Sequence, residues 1–344
     1  VYSVSAESAV AVVIDDVATT QSGQALADLT DIERIEILRG PQSTLFGRNA
    51  SAGVINVVTR GPTQEFESSV ELTLTDDDQE KISGGVSGPI SDNLAYRLTG
   101  YYDEIDGWVD NIGPEDDTDG SEKWGVNSRL DWDINENLVL KFQAKYDDSD
   151  SACCSPAFSY IEDVSAAQIL TVIPLTTAAP EIIPFIDEEN TTVVIDDITE
   201  VISENLQLSM KAEWGIGEHD LMSITAYNNW DLSEFNELDG TAYDVLNHPF
   251  GPFGGTLGDP ENTGIEPFTI ASNGGVVQPN QLEVDFISQE FRLLSPEEDW
   301  GNYIAGLYYS EMDADRQFDR YAPGLGVAAG LDAHSLSDNV VTSV

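Results

Sequence analysis

The stretch NLVLKFQAKY, residues 137–146, places Leu138, Leu140, Phe142, Ala144 and Tyr146 on one side of an extended chain and Val139, Lys141, Gln143 and Lys145 on the other. A period of two belongs to a strand with differently solvated faces; a helix would scatter these residues around its axis. The preceding KWGVNSRLDWDI repeats the pattern. Trp124, Val126, Leu130, Trp132 and Ile134 share one face, with Ser128 the exception, and Asn127, Arg129, Asp131 and Asp133 take the other. One face is apolar with Trp and Tyr toward its ends, and the other is charged. From Phe66 onward the alternation predicts nine strands, at 66–75, 81–88, 94–103, 124–133, 137–147, 200–214, 219–232, 283–294 and 301–311.

A soluble sandwich also alternates, so the connections decide. Strands two and three are joined by GPISDN, four and five by INEN, six and seven by GIGEH, and eight and nine by SPEEDWG. The intervening connections grow, after a short first one, to about 20 and then twice to roughly 50 residues, well beyond ordinary loop lengths. Short turns on one side and long loops on the other are the plan of an outer-membrane barrel; a sandwich has no reason to keep that order. The predicted long loops lie near 104–123, 148–199 and 233–282, and the latter two are rich in Asp, Glu, Pro, Gly and Asn. The charged strand face then belongs to a lumen, because lipid would penalise rows such as Ser288, Glu290 and Arg292.

No run of about 18 apolar residues occurs, which removes a membrane helix and leaves a barrel open. The chain carries 14 Lys and Arg against 63 Asp and Glu, a net charge of −49. That balance repels phosphate backbones and sets nucleic acid aside. Adaptation to salty water explains the excess as readily as any ligand does. Three histidines and two cysteines supply no metal cage, so neither a metal site nor a cofactor is expected. Cys153 and Cys154 are adjacent, candidates for a vicinal disulfide or for a staple to a part of the protein outside this sequence. No catalytic constellation stands out, and the chain does not read as an enzyme. Neither a basic n-region nor an apolar h-region begins the sequence, so a signal peptide is expected to be already removed or to lie outside it.

The segment RIEILRGPQSTLFGRNASAGVINVVTRGP, residues 34–62, differs from the rest. It holds Arg34, Arg39, Arg48 and Arg60 against the single acid Glu36. With AVAVVIDDV upstream it reads as short β-rich pieces joined by glycine turns, a compact domain rather than more barrel. It has neither the Lys-Ser/Thr of a P-loop nor the dinucleotide-binding spacing.

IERIEILRGPQSTLFGRNASAGVINVVTR closely resembles the end of the plug domain of TonB-dependent outer-membrane receptors. The phrases DGWVDN, SQEFRLLSP and AGLYY resemble segments of their barrels, particularly in receptors for iron complexes and siderophores. The resemblance implies a mostly β chain: residues 1–62 form the C-terminal part of a small α/β plug domain, and residues 63–344 the N-terminal part of a transmembrane antiparallel β-barrel, roughly 22-stranded in the family. It implies active uptake of a scarce ligand such as a ferric siderophore across the bacterial outer membrane, energised through TonB and its inner-membrane complex. Outer-membrane lipid and the small-molecule ligand are the other expected partners.

Within that frame the basic plug segment is expected to face an acidic barrel wall. Glu36, Arg39, Arg60 and Glu290 are the candidate plug–barrel contacts, with Arg39 and Glu290 as a testable pair. The outward plug loop is expected around residues 43–52, with Phe46, Arg48 and Asn49 touching ligand. For Phe46 packing inside the plug is the plain alternative, and for Arg48 pairing with the lumen wall. A passive porin-like channel and a soluble β-rich binding or adhesion protein are the rival readings.

Overall fold

The computed structural model describes residues 8–19, 30–46, 49–76, 78–111, 116–153, 190–193, 195, 199–237, 277–296, 301–318 and 340–343. The first sheet comprises β1 (Val10–Ile14), β2 (Val17–Ala18), β3 (Ile32–Arg39) and β4 (Gly53–Thr59), with one helical turn, α1 (Ser43–Phe46), before β4. Its strand order is β2-β1-β4-β3, with β1 and β4 parallel and the other pairs antiparallel. Ala11, Val13, Ala50 and Val54 form its core, with Ala18, Leu38 and Phe46 packed against them. Gly53 is required there, since a Cβ would lie 2.7 Å from the Leu38 carbonyl oxygen across the β3–β4 pair.

The second sheet is a meander in which every neighbouring pair is antiparallel. Its strands are β5 (Glu67–Leu74), β6 (Gln79–Ser91), β7 (Leu94–Ile105), β9 (Gly120–Asn135), β10 (Leu138–Ala152), β12 (Glu200–Ile216), β13 (His219–Glu237), β14 (Val277–Leu294), β15 (Ile304–Phe318) and β16 (Val340–Ser343). The two-residue strands β8 (Asp110–Asn111) and β11 (Thr192–Val193) pair in parallel beside it. All nine expected strands occur. Several run further on the long-connection side than alternation predicts: β10 reaches Ala152, β13 reaches Glu237, and β14 starts at Val277. The ladder takes over residues that composition assigned to the loops at 148–199 and 233–282.

Register explains why the pattern stops before the strands do. Leu138, Leu140, Phe142, Ala144 and Tyr146 face outward, paired with Trp214, Ala212, Met210, Leu208 and Leu206. That run measures about 27 Å along the strand, or roughly 21 Å of thickness at a tilt of about 40°, near the apolar band of a membrane barrel. Tyrosines mark its outer border, and their hydroxyls donate to carboxylates: Tyr102 to Glu104 (2.9 Å), Tyr227 to Asp285 (2.6 Å) and Tyr309 to Glu311 (2.9 Å). Beyond this border the parity inverts. On β13 Tyr227 faces out, whereas Trp230 and Leu232 face in; on β14 Ile287 and Phe291 face out, whereas Val284 and Phe286 face in. Trp230, Leu232, Leu282, Val284, Phe286, Met312 and Ala314 form a buried cluster on the inward face. Outside hydrocarbon, water lies on the outer side and the strand reverts to the pattern of a soluble protein.

The plug–barrel interface as candidate functional site

The inward parity carries every Lys and Arg on the described barrel strands. Arg97, Arg129, Lys141, Lys211 and Arg292 lie along the part of the wall nearest the short turns. The plug meets them with aspartates. The β1–β2 hairpin has a two-residue loop, since Ile14 pairs with Val17, and both loop residues adopt left-handed backbone, Asp15 at φ 49° and Asp16 at φ 69°. Such a loop is a type I′ turn, which matches strand twist and favours Asn or Asp followed by Gly.

Asp15 is saturated. One carboxylate oxygen accepts from the Thr59 amide (2.9 Å) and Arg129 (3.4 Å), and the other from the Thr59 hydroxyl (2.7 Å) and the Gln143 amide (3.0 Å). Arg129 also donates to the Thr59 carbonyl at 3.0 Å. Asp16 pairs with Lys211 at 2.7 Å and Arg292 at 3.5 Å. Burial pushes the Asp16 carboxyl up, but Lys211 and Arg292 outweigh it and hold the group below the usual carboxylate range. A third aspartate, Asp31, also left-handed at φ 58°, accepts a bidentate bond from Arg97, with Nε to Oδ2 at 2.6 Å. Of the plug–wall ion pairs described, this is the most enclosed, its side chains 9% and 7% exposed.

The polarity is therefore the reverse of the expected one: plug acids meet wall bases. Glu290 bonds Arg292 on its own strand in a fork of 2.5 and 2.9 Å. Arg39 is exposed, and among the described residues it forms no ion pair with Glu290. Arg60 is exposed too and borders a cleft beside β5. Glu36 stays within the plug, bonding Arg34 at 2.8 Å and Asn56 at 2.9 Å; Arg34 first, then Asn56, keeps its carboxyl below the ordinary range. The reason is that charge totals do not report faces. Among the described residues, exposed acids such as Glu104, Glu204, Glu283 and Glu311 sit toward the rim, while strand parity turns the few bases inward.

Of the residues expected at the ligand-facing loop, Phe46 packs on the plug core and Asn49 adopts left-handed backbone at φ 66°. Arg48 lies outside the described residues. Register places both α1 and Asn49 at the end of the plug sheet opposite the Asp15–Asp16 turn, since Val10 and Arg39 both pair with Gly53. Cys153 is disulfide-bonded, and Cys154, the chain's other cysteine, lies outside the described residues. Sequence reading missed Asp15, Asp16 and Asp31. The signal was present in IDDV, a turn dipeptide lacking the usual second glycine.

Residues 3–54 match the family model described as TonB-dependent Receptor Plug Domain. That segment is a plug domain of the TonB-dependent receptor type. Its sequence is 33% identical over 125 residues to the iron-regulated outer membrane virulence protein of Vibrio cholerae, covering 35% of this chain and 19% of that one. It is 27% identical over 135 residues to the ferric enterobactin receptor of Pseudomonas aeruginosa, covering 33% and 18%. The fold matches the ferric yersiniabactin uptake receptor from Yersinia pestis with a TM-score of 0.59 at 15% identity, over 98% of this chain and 51% of that receptor. The chain thus spans about half the length of the solved receptor it matches, and the stretches aligned with its curated relatives span about a fifth of theirs. The receptor barrel belongs in the bacterial outer membrane.

Proposed function

We propose that this chain supplies the plug and part of the barrel of a receptor that actively imports a ferric siderophore or a similar iron complex. The observation that carries the reading is the ionic seating of a separate plug sheet on the inner wall of a membrane barrel. A plug held by ion pairs, rather than by a continuous apolar core, is fixed in place yet releasable: each pair loses much of its Coulomb gain to desolvation, so pairing contributes position more than net stability.

In this reading ligand binds outward of the plug, near the end that carries α1 and Asn49. Arg48 and Asn49 are the proposed ligand contacts, and Phe46 shapes that end from within. Ligand affinity that differs between plug conformations shifts their populations and reports occupancy to the periplasm. TonB and its energising complex then displace the plug. The iron-receptor names of the Vibrio and Pseudomonas relatives support the choice of ligand class. The reading is of transport, not chemistry, and no side chain is assigned a catalytic role.

The test is uptake of radio-iron-labelled ferric enterobactin by cells whose only receptor for it is the full-length protein, with and without a protonophore. Uptake abolished by the protonophore supports the reading. Uptake that persists identifies a passive channel instead.

A further inference from the structure

Against the described wall strands the plug is fastened unequally. Toward β9–β14 the Asp15–Asp16 turn is held by Arg129, Gln143, Lys211 and Arg292, and the space left between plug and wall is a narrow crevice of about 230 Å³ bordered by Asn56 and Ser209. Toward β5–β7 a cleft of about 530 Å³ separates Thr30, Asp31, Ile32 and Arg60 of the plug from the wall. The wall there is small and hydroxylated. Ser69, Gly85 and Thr99 line up in one row across three strands, with Ser83 and then Thr73 in the rows above. Register gives the cleft a direction: it runs from the Thr73–Lys81 row, nearest the β5–β6 turn, down to the Arg97 row, where the Asp31–Arg97 pair closes it.

We propose that the plug opens on the β5–β7 side, with the Asp15–Asp16 turn as its fixed end and the Asp31–Arg97 pair as the latch at the floor of a polar passage. This rests on the uptake reading above and specifies where its ligand passes. A groove of hydroxyls, Glu71 and Arg60 suits a hydrated polar solute, since such groups exchange hydrogen bonds with water and solute alike. Among the described residues, swinging about a turn held by three cationic side chains breaks one bidentate pair, whereas expelling the plug breaks all four ion pairs.

Two cysteine pairs in the full-length receptor test this, each bridged by a thiol-reactive cross-linker that reductant cleaves. Thr30→Cys with Ser83→Cys bridges the cleft; Asn56→Cys with Ser209→Cys bridges the crevice. With radio-iron ferric enterobactin as probe, the cleft bridge is expected to cut uptake at least tenfold and reductant to restore it, while the crevice bridge leaves uptake within twofold of the untreated pair. Reductant recovery shows that the cysteine variants fold. If both bridges block, or neither, or the crevice bridge alone, the proposal is overturned. A second readout needs no transported ligand: labelling of the single variant Ser83→Cys by a membrane-impermeant maleimide is expected to rise several-fold in energised cells over protonophore-treated ones, and that of Ser209→Cys to stay level. Equal or reversed changes overturn the proposal. Failure of the uptake reading shows itself separately, as absence of energy-dependent uptake by the unmodified receptor.

Discussion

Asp16 occupies a left-handed position where a side chain costs about 1 kcal/mol or more relative to glycine. The strain is tolerated because its carboxylate reaches both Lys211 and Arg292. Asp16→Gly should therefore leave the folding midpoint of the receptor unchanged or slightly raised, while making the plug more sensitive to protease. Asp16→Asn should show the sensitivity without the gain. Thermal unfolding and limited proteolysis of the detergent-solubilised receptor separate the two effects. Protonation gives a second expectation. Because the seated Asp16 carboxyl titrates below its ordinary value, its contribution to seating is complete above the usual carboxylate pKa of about 3.9 and is lost as pH falls through the lower seated-state value. Plug protection measured between neutral pH and about pH 3 should weaken at the acid end, and Asp16→Asn should flatten that part of the profile.

At the scale of the strand, β13 and β15 are each two patterns joined at a tyrosine, Tyr227 and Tyr309. Met210 is 40% exposed on the outward face in the middle of the apolar band, paired with Thr225 and Phe142. Met210→Arg should destabilise the barrel in lipid by about 2–4 kcal/mol, measured by folding into vesicles. Trp230 lies past the parity inversion, 2% exposed, with its indole nitrogen donating to Ser203 at 2.9 Å. Trp230→Ala should cost a similar ~3–5 kcal/mol, but through a cavity rather than through lipid contact. The contrast in cause is testable: thickening the bilayer should alter the first penalty and leave the second unchanged.

Across the whole molecule a charge of −49 invites the expectation that salt governs its behaviour. It should govern exposed rim acids such as Glu104, Glu204 and Glu311, where about 1 M salt shortens screening to roughly 3 Å. It should not unseat the plug, because Asp31 and Arg97 are almost wholly enclosed. Protease protection of the plug should persist across a salt series, whereas Asp31→Asn, which strands Arg97, should abolish it, in line with the ~3–5 kcal/mol cost of breaking one side of a buried pair.

The amino-acid sequence by itself determined the strands and the architecture. Period-two alternation, aromatic borders and alternating short and long connections each follow from a chain that must satisfy its backbone within lipid, and such local rules can be read residue by residue. It also determined the plug, whose glycine-punctuated, arginine-bearing segment resembles one family. Only the tertiary structure decided which charges meet. Whether Asp31 faces Arg97, or Arg39 faces Glu290, depends on how one sheet is rotated inside another, a relation between residues 66 positions apart that no local pattern encodes. Strand length past the membrane belongs to the same class. There the pattern inverts instead of ending, because the inward face changes from a lumen wall to a packed interior while the hydrogen-bond ladder runs on.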